Sequence, residues 1–168
     1  MDRVWMLRHG AFGPVSAEKQ GGTPPRFTLW GVVNVTPDSF FDGGAHFSPE
    51  ASLAHALELA GEGARILDLG GASSRPGAKD VPAEEEVRRI LPLVQELVRL
   101  REKARKKDGE SPLAAETLVS VDTWRSAAAR AALEAGADIL NDVSACAWDP
   151  ALRETAAEFK PGYVLMHC

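Results

Sequence analysis

Apolar positions first fall into a regular pattern at Leu29. The run 29-LWGVV-33 suits a buried strand, and 49-PEASLAHALELAGEGA-64 suits a helix. In that helix Ser48 is the candidate cap, Pro49 takes a first-turn position, and Leu53, Ala56, Leu57 and Ala60 share one face. A second strand follows at 65-RILDL-69, then a Gly/Ser loop, then the strongest helical period in the chain. Val87, Ile90, Leu91, Val94, Leu97 and Val98 recur at three- and four-residue spacing, with Glu84 to Glu86 at the start and Lys/Arg at the end, as the helix dipole favours. Beyond 108-DGESP-112 the pattern predicts strand 118–121, helix 124–136, strand 137–140, helix 150–159 and strand 162–166. Ahead of residue 28 no period is sustained, and 21-GGTPPRF-27 reads as a connector, so residues 1–27 are expected to form an N-terminal extension.

The order β-α-β-α-β-α-β-α-β predicts parallel strands joined by crossovers and buried on both faces. A weak internal repeat, 57-LELAGEGARILDLGG-71 against 133-LEAGADILNDVSA-145, supports the same unit. Two α/β folds fit, a doubly wound open sheet and a (β/α)8 TIM barrel. The strands are followed in turn by Asn34, Asp68, Asp122, Asn141 with Asp142, and His167. Each alone could be a turn or cap residue. A polar group from every strand is what a barrel mouth draws on, whereas an open sheet gathers its contacts at one switch point, so the barrel is favoured. Barrels of this kind run to about 250 residues, and this chain of 168 reaches only its fifth strand. Residues 28–168 are therefore expected to be a partial barrel, strands 1–5, without strands 6–8.

Composition narrows the class. With 45% hydrophobic and 26% charged residues the chain can bury a core, and a net charge of −5 disfavours nucleic acid as a partner. The cluster 101-REKARKKDGE-110 contains acids and continues the amphipathic pattern, so it reads as a solvated helix end. No run approaches a membrane span and no signal-like apolar segment opens the chain, which makes a cytoplasmic location the expectation. Cys146 and Cys168 lack a CxxC pattern and read as reduced thiols.

Two loops carry candidate chemistry. In 70-GGASSRPGA-78 two glycines allow close backbone approach while two hydroxyls and an arginine donate hydrogen bonds, a set suited to phosphate or carboxylate; an ordinary surface loop is the alternative. It is neither a Walker loop nor a GxGxxG fingerprint. In 34-NVTPDSFFDGG-44, Asn34 offers an amide to Mg²⁺ or a phosphate oxygen, and Asp42 is a carboxylate on a Gly-flanked loop. Anion donors on one loop and carboxylates at other strand ends suggest a substrate with a phosphorylated end and a ring rich in hydrogen-bond donors.

The segments 34-NVTPDSFFDGG-44, 68-DLGGASSRPGA-78, 120-SVDT-123, 138-DILNDVSA-145 and 164-VLMHC-168, in this order, closely resemble the dihydropteroate synthase family, from about Trp30 to the last residue. The resemblance implies a TIM barrel that condenses 6-hydroxymethyl-7,8-dihydropterin diphosphate with p-aminobenzoate, releasing diphosphate with Mg²⁺, and that is a sulfonamide target. It implies that Asp122 and Asn141 read the pterin edge, that Val143 and Met166 line the pterin slot, and that Asn34 contacts Mg²⁺ and diphosphate. It further implies that Ser74, Arg75 and Pro76 close over diphosphate and p-aminobenzoate, that Phe40 packs on the aniline ring, and that Asp42 faces the reacting methylene and amine. Asn34, Asp42 and Arg75 are thereby the expected catalytic residues.

The sequence departs from the family pattern at Ala72, often glutamate, and at Ser74, often threonine. The family's remaining pterin-binding aspartate, its Lys/Ser pair and its C-terminal Arg and His fall beyond the fifth strand, so the chain alone is expected to be weakly active or inactive. Open strands at both ends of the sheet predict aggregation or a homodimer. Two other readings stay open: a pterin-binding methyltransferase acting on a methyl-folate, which has no use for the SSRPG loop, and a non-catalytic half-barrel that serves as a partner subunit.

Overall fold

The computed structural model describes residues 5–7, 10–12, 28–36, 49–72 and 80–166. Its order is β1 (Trp5–Leu7), β2 (Gly10–Phe12), β3 (Trp30–Asn34), α1 (Pro49–Gly61), β4 (Ile66–Gly70), α2 (Ala83–Lys106), β5 (Leu118–Asp122), α3 (Ser126–Glu134), β6 (Ile139–Asp142), α4 (Leu152–Phe159) and β7 (Gly162–Leu165). Strands β3-β4-β5-β6-β7 form one parallel sheet in sequence order, and each pair is connected through a helix. Five strands in consecutive order with no reversal is the pattern of a barrel wall, since a doubly wound sheet changes direction at a switch point.

The N-terminal stretch departs from expectation. Within the segment read as an extension without periodic structure, β1 and β2 pair antiparallel with Trp5 opposite Phe12. A three-residue strand is too short to display an alternation, which is why the pattern is silent there.

Period-two burial sorts the sheet into two faces. Val33 and Val35, Leu67 and Leu69, Val119 and Val121, and Leu140 point toward the helices and form the main core with Ile90, Leu93, Val94 and Leu97 of α2 and the alanines of α3. Ala128, Ala129 and Ala132 are fully buried, and their small side chains let α3 lie close against its neighbours. On the opposite face Ile66, Leu118 and Ile139, with Trp30 and Val164, make a second, smaller cluster. An apolar layer on the face away from the helices is what fills a barrel interior. At the outer strands of the sheet Leu29, Val32, Leu165 and Met166 remain exposed.

The first helix starts at Pro49 as expected, whereas α3 and α4 start later than the pattern alone suggests. The third helix begins at Ser126 because Arg125 is extended (φ −93°, ψ 124°), and the Ser126 N–H donates to Asp149 Oδ2 at 2.7 Å. That cap comes from the loop before α4, 23 residues away, so no local motif announces it.

One ion pair is buried at the end of the sheet away from the polar strand ends. Arg101, late in α2, donates through Nη1 to Asp138 Oδ2 and through Nη2 to the Gly136 carbonyl at 3.2 Å. The same carboxylate oxygen accepts the Val119 N–H at 2.9 Å. Both side chains are about 2% exposed, so each charge depends on the other for its solvation. Arg101, read from the sequence as part of a solvated basic end, is the most bulky fully buried side chain among the described residues.

Candidate active site

Parallel pairing brings one residue from each of several strands to a common level. Asn34 pairs with Gly70, Gly70 with Asp122, Asp122 with Asn141, and Asn141 with Val164. This rung lies at the C-terminal ends of the strands, the edge where parallel α/β sheets and barrels hold their ligands. The expected site residues Asn34, Asp122 and Asn141 are thus brought together. They are the last or next-to-last residues of their strands, so strand geometry, not loop geometry, sets their spacing.

Gly70 makes the gap between them. A methyl group built there would stand 3.7 Å from Asp122 Oδ2 and 3.8 Å from Asn34 Oδ1, so the missing side chain leaves a space that both polar oxygens face. Gly71 serves a different purpose. A methyl group at that position would lie 2.7 Å from Ile90 Cγ2 and 3.2 Å from the Glu86 carbonyl, so only glycine lets the turn rest on the start of α2.

Asp68, one layer deeper on the same face, accepts a hydrogen bond from Asn141 Nδ2 at 2.9 Å. Its position in the middle of β4 corrects the reading of Asp68 as a strand-end residue. Burial raises its pKa, offset in part by Ser120 and Asn141. The Ser120 hydroxyl is near enough to favour the carboxylate but is not aligned as a full hydrogen bond, and Oδ1 of Asp68 has no bonded partner.

Asp122 sits in a strongly acidic setting. Burial first, then the charges of Asp68, Glu86 and Asp142, push its carboxyl up to about 7. A carboxyl poised near neutrality, at the open end of a parallel sheet, is the electrostatic mark of a functional group. Glu86, at the base of α2 behind Gly71, is also raised, by burial before all else and against the effects of Thr123 and Arg125. Arg125 Nε stands 3.2 Å from Glu86 Oε2, an ion pair without hydrogen-bond alignment. Glu86 lies on the buried stripe of α2 that continues through Ile90, Leu93 and Leu97, but its place in the acidic first turn, where exposed glutamates are common, hides it in the sequence.

Asp142 takes no part in the rung. It pairs with Leu165 on the other face of the sheet and accepts from Ser144 N (2.8 Å), Ser144 Oγ (2.8 Å), Cys146 N (2.6 Å) and Tyr163 OH (2.7 Å). Burial opposes its ionisation, but the Tyr163 hydroxyl and the donors of residues 144 and 146 outweigh it, and the carboxyl is held below its usual range. These bonds hold Ala145 (φ 53°) and Cys146 (φ 61°) in the left-handed region. Asp142 is a structural tie for the loop after β6, and the grouping of Asp142 with Asn141 as strand-end site residues is corrected accordingly.

Val143 and Met166 lie just past the ends of β6 and β7, Val143 in the turn after β6 and 9% exposed, Met166 44% exposed. Phe40, Asp42, Ser74, Arg75 and Pro76, together with His167, lie outside the described residues. Among the described residues there is no group of three His, Cys, Asp or Glu side chains able to hold a metal. A single amide oxygen nonetheless fits Mg²⁺, which keeps most of its waters and takes one or two protein oxygens beside substrate phosphates. Asn34, exposed at its strand end and facing the Gly70 gap, offers such an oxygen.

Residues 30–168 match the protein family described as pterin binding enzyme. The chain belongs to the pterin-binding enzyme family. It is 42% identical over 139 residues to the dihydropteroate synthase of Streptococcus pyogenes serotype M1, an alignment that covers 83% of this chain and 47% of that protein. The Xanthomonas albilineans dihydropteroate synthase solved with 4-aminobenzoic acid is 45% identical, with a TM-score of 0.69 over 83% of this chain and 46% of the other. The Burkholderia cenocepacia dihydropteroate synthase complexed with 7,8-dihydropteroate is 29% identical, with a TM-score of 0.72 over 98% of this chain and 46% of the other. The chain spans about half the length of the relatives it matches. The likeness of the folds bears out the partial barrel. No helix among the described residues is long and apolar enough to cross a membrane.

Proposed function

We propose that this chain supplies the pterin-reading wall of a dihydropteroate synthase, which joins 6-hydroxymethyl-7,8-dihydropterin diphosphate to p-aminobenzoate. The observation that carries the reading is the shared rung of Asn34, Gly70, Asp122 and Asn141. A 2-amino-pyrimidinone edge offers N–H donors, which the Asp122 carboxylate accepts, and a mixture of donor and acceptor, which the Asn141 amide matches. Asn34, across the Gly70 gap, is then aligned with the diphosphate end.

In the reaction the bond from the methylene carbon to the diphosphate oxygen breaks, and its electron pair leaves with diphosphate. The aniline nitrogen of p-aminobenzoate donates its lone pair to the methylene carbon and loses a proton. The pterin ring spreads the positive charge that develops between these events. On this reading the roles carried over from the family are that Asp42 would supply negative charge near it, Phe40 would pack on the aniline ring, and Ser74, Arg75 and Pro76 would cover the anionic groups and exclude water. Asn34 would hold Mg²⁺, whose contribution is to neutralise charge on the departing diphosphate. Sulfonamides, as p-aminobenzoate mimics, would compete at the same place.

We further infer that residues 28–168 are one part of a barrel, with the hairpin β1–β2 ahead of it. The exposed Leu29, Val32, Leu165 and Met166 on the outer strands support a sheet that pairs onward, within a longer polypeptide, with a partner subunit or in a homodimer. Fluorescence titration of the purified chain with a 6-hydroxymethylpterin diphosphate tests the reading. Saturable binding is expected, weakened at least about tenfold by Asp122→Asn through loss of a charged acceptor. Absence of binding, or equal affinity for the diphosphate and the pterin alcohol, would count against it, the second outcome favouring the methyl-folate reading.

A further inference from the structure

An asparagine amide has two ends of almost equal size, and turning it by 180° exchanges a donor for an acceptor. Any site that reads a ligand edge with an asparagine must therefore fix which end faces the ligand. Here the Asn141 Nδ2 is bonded to Asp68 Oδ2 at 2.9 Å, across the sheet from β6 to β4 and beneath the rung. The turned amide would set Oδ1 against a carboxylate oxygen, two acceptors in contact where Asp68 is only 5% exposed.

A buried carboxylate with one orphaned oxygen is a costly way to make one hydrogen bond, and a neutral acceptor would make it at lower cost. What the carboxylate adds is acceptor character on both oxygens. However Asp68 rotates, its ionised form never offers Asn141 a donor. Ser120, the register partner of Asp68 on β5, lies beside it and supports the charged form.

We propose that Asp68 is a positioning residue that locks the Asn141 amide with Nδ2 inward, so that Asp122 and Asn141 present a fixed order of acceptors and donors to the ligand edge. The proposal rests on the pterin reading of the rung for its consequence, though not for the lock itself. It also gives Asp68 an electrostatic effect on Asp122, which the charges of Glu86 from α2 and Asp142 from β6 also influence, while β3 presents the neutral Asn34.

Two variants separate orientation from charge. Asp68→Ala removes the acceptor, and Asp68→Asn keeps one acceptor oxygen but removes the charge. In the ligand-free protein, NMR of the Asn141 side-chain amide is expected to show one Nδ2 proton shifted downfield and slow to exchange, an asymmetry lost in Asp68→Ala and reduced in Asp68→Asn. Carboxyl titration is expected to show the Asp122 midpoint falling by about one pH unit in Asp68→Asn, as for a like charge removed from a neighbouring strand. Affinity for 6-hydroxymethylpterin should fall at least about tenfold in Asp68→Ala and by less in Asp68→Asn. Unchanged Asn141 signals in Asp68→Ala would overturn the proposal, as would a loss of thermal stability with pterin affinity and the Asp122 midpoint both unmoved. If the amide and titration results appear as expected but the unaltered chain binds no pterin, the lock stands and the pterin reading falls.

Discussion

Replacing Asp122 by asparagine should stabilise the protein, and by an amount that grows as the pH rises. In the unfolded chain this carboxyl titrates at its ordinary value of 3.8, whereas in the folded chain burial and the charges of Asp68, Glu86 and Asp142 raise it to about 7. Between those values folding takes up a proton. The contribution to stability is complete below 3.8, and it is lost progressively as the pH rises through 7. Each pH unit inside that window costs about 1.4 kcal/mol. Between pH 5 and pH 8 about two units of the window are crossed, for a loss of about 2–3 kcal/mol, nearer 2 because Asp122 keeps partial contact with solvent. The amide variant has no such titration. Urea denaturation of both proteins at pH 5, 6, 7 and 8 should therefore show the gap in stability widening by about 2 kcal/mol. A gap that stays constant within about 0.5 kcal/mol over that range would refute the electrostatic account of the rung. The same variant should lose pterin affinity, so a site residue that weakens the fold would be retained for what it binds.

Three other outcomes follow from the packing. Arg101→Met leaves Asp138 buried without its guanidinium and should cost about 3–5 kcal/mol by urea denaturation, with Arg101→Met/Asp138→Asn recovering part of the loss. Gly71→Ala puts a methyl group 2.7 Å from Ile90 Cγ2, so a loss of about 1–3 kcal/mol is expected, and a neutral result would mean that α2 can move away freely. Ala145→Gly relieves a left-handed φ of 53° and should raise the thermal midpoint by the equivalent of about 0.5–1 kcal/mol, provided the bonds from residues 144 and 146 to Asp142 persist.

Most of the architecture was legible because it depends on local period. Alternation and the 3.6-residue stripe are properties of the chain itself, and they located the five parallel strands and the four helices between them to within a few residues. The strand ends Asn34, Asp122 and Asn141 were legible for the same reason, since parallel strands of similar length finish at one edge. Asp142 was misread because a shift of one position along a strand exchanges its faces, and Asp68 because β4 runs two residues past it, to Gly70. Asp142 thereby turns to the face opposite the rung, where residues 144, 146 and 163 bind it.

By itself, then, the sequence determined the order of elements from residue 29 onward, the edge that carries the polar groups, and the family to which residues 30–168 belong. Tertiary structure alone decided that Asp68 holds Asn141, that Glu86 and Arg101 are interior, and that Gly70 leaves a gap between Asn34 and Asp122. The division has a physical cause. Backbone periodicity acts over a few residues, whereas desolvation and hydrogen bonding depend on which distant segments close over a group. Asp68 and Asn141 are 73 residues apart in the chain and meet only when the sheet is formed.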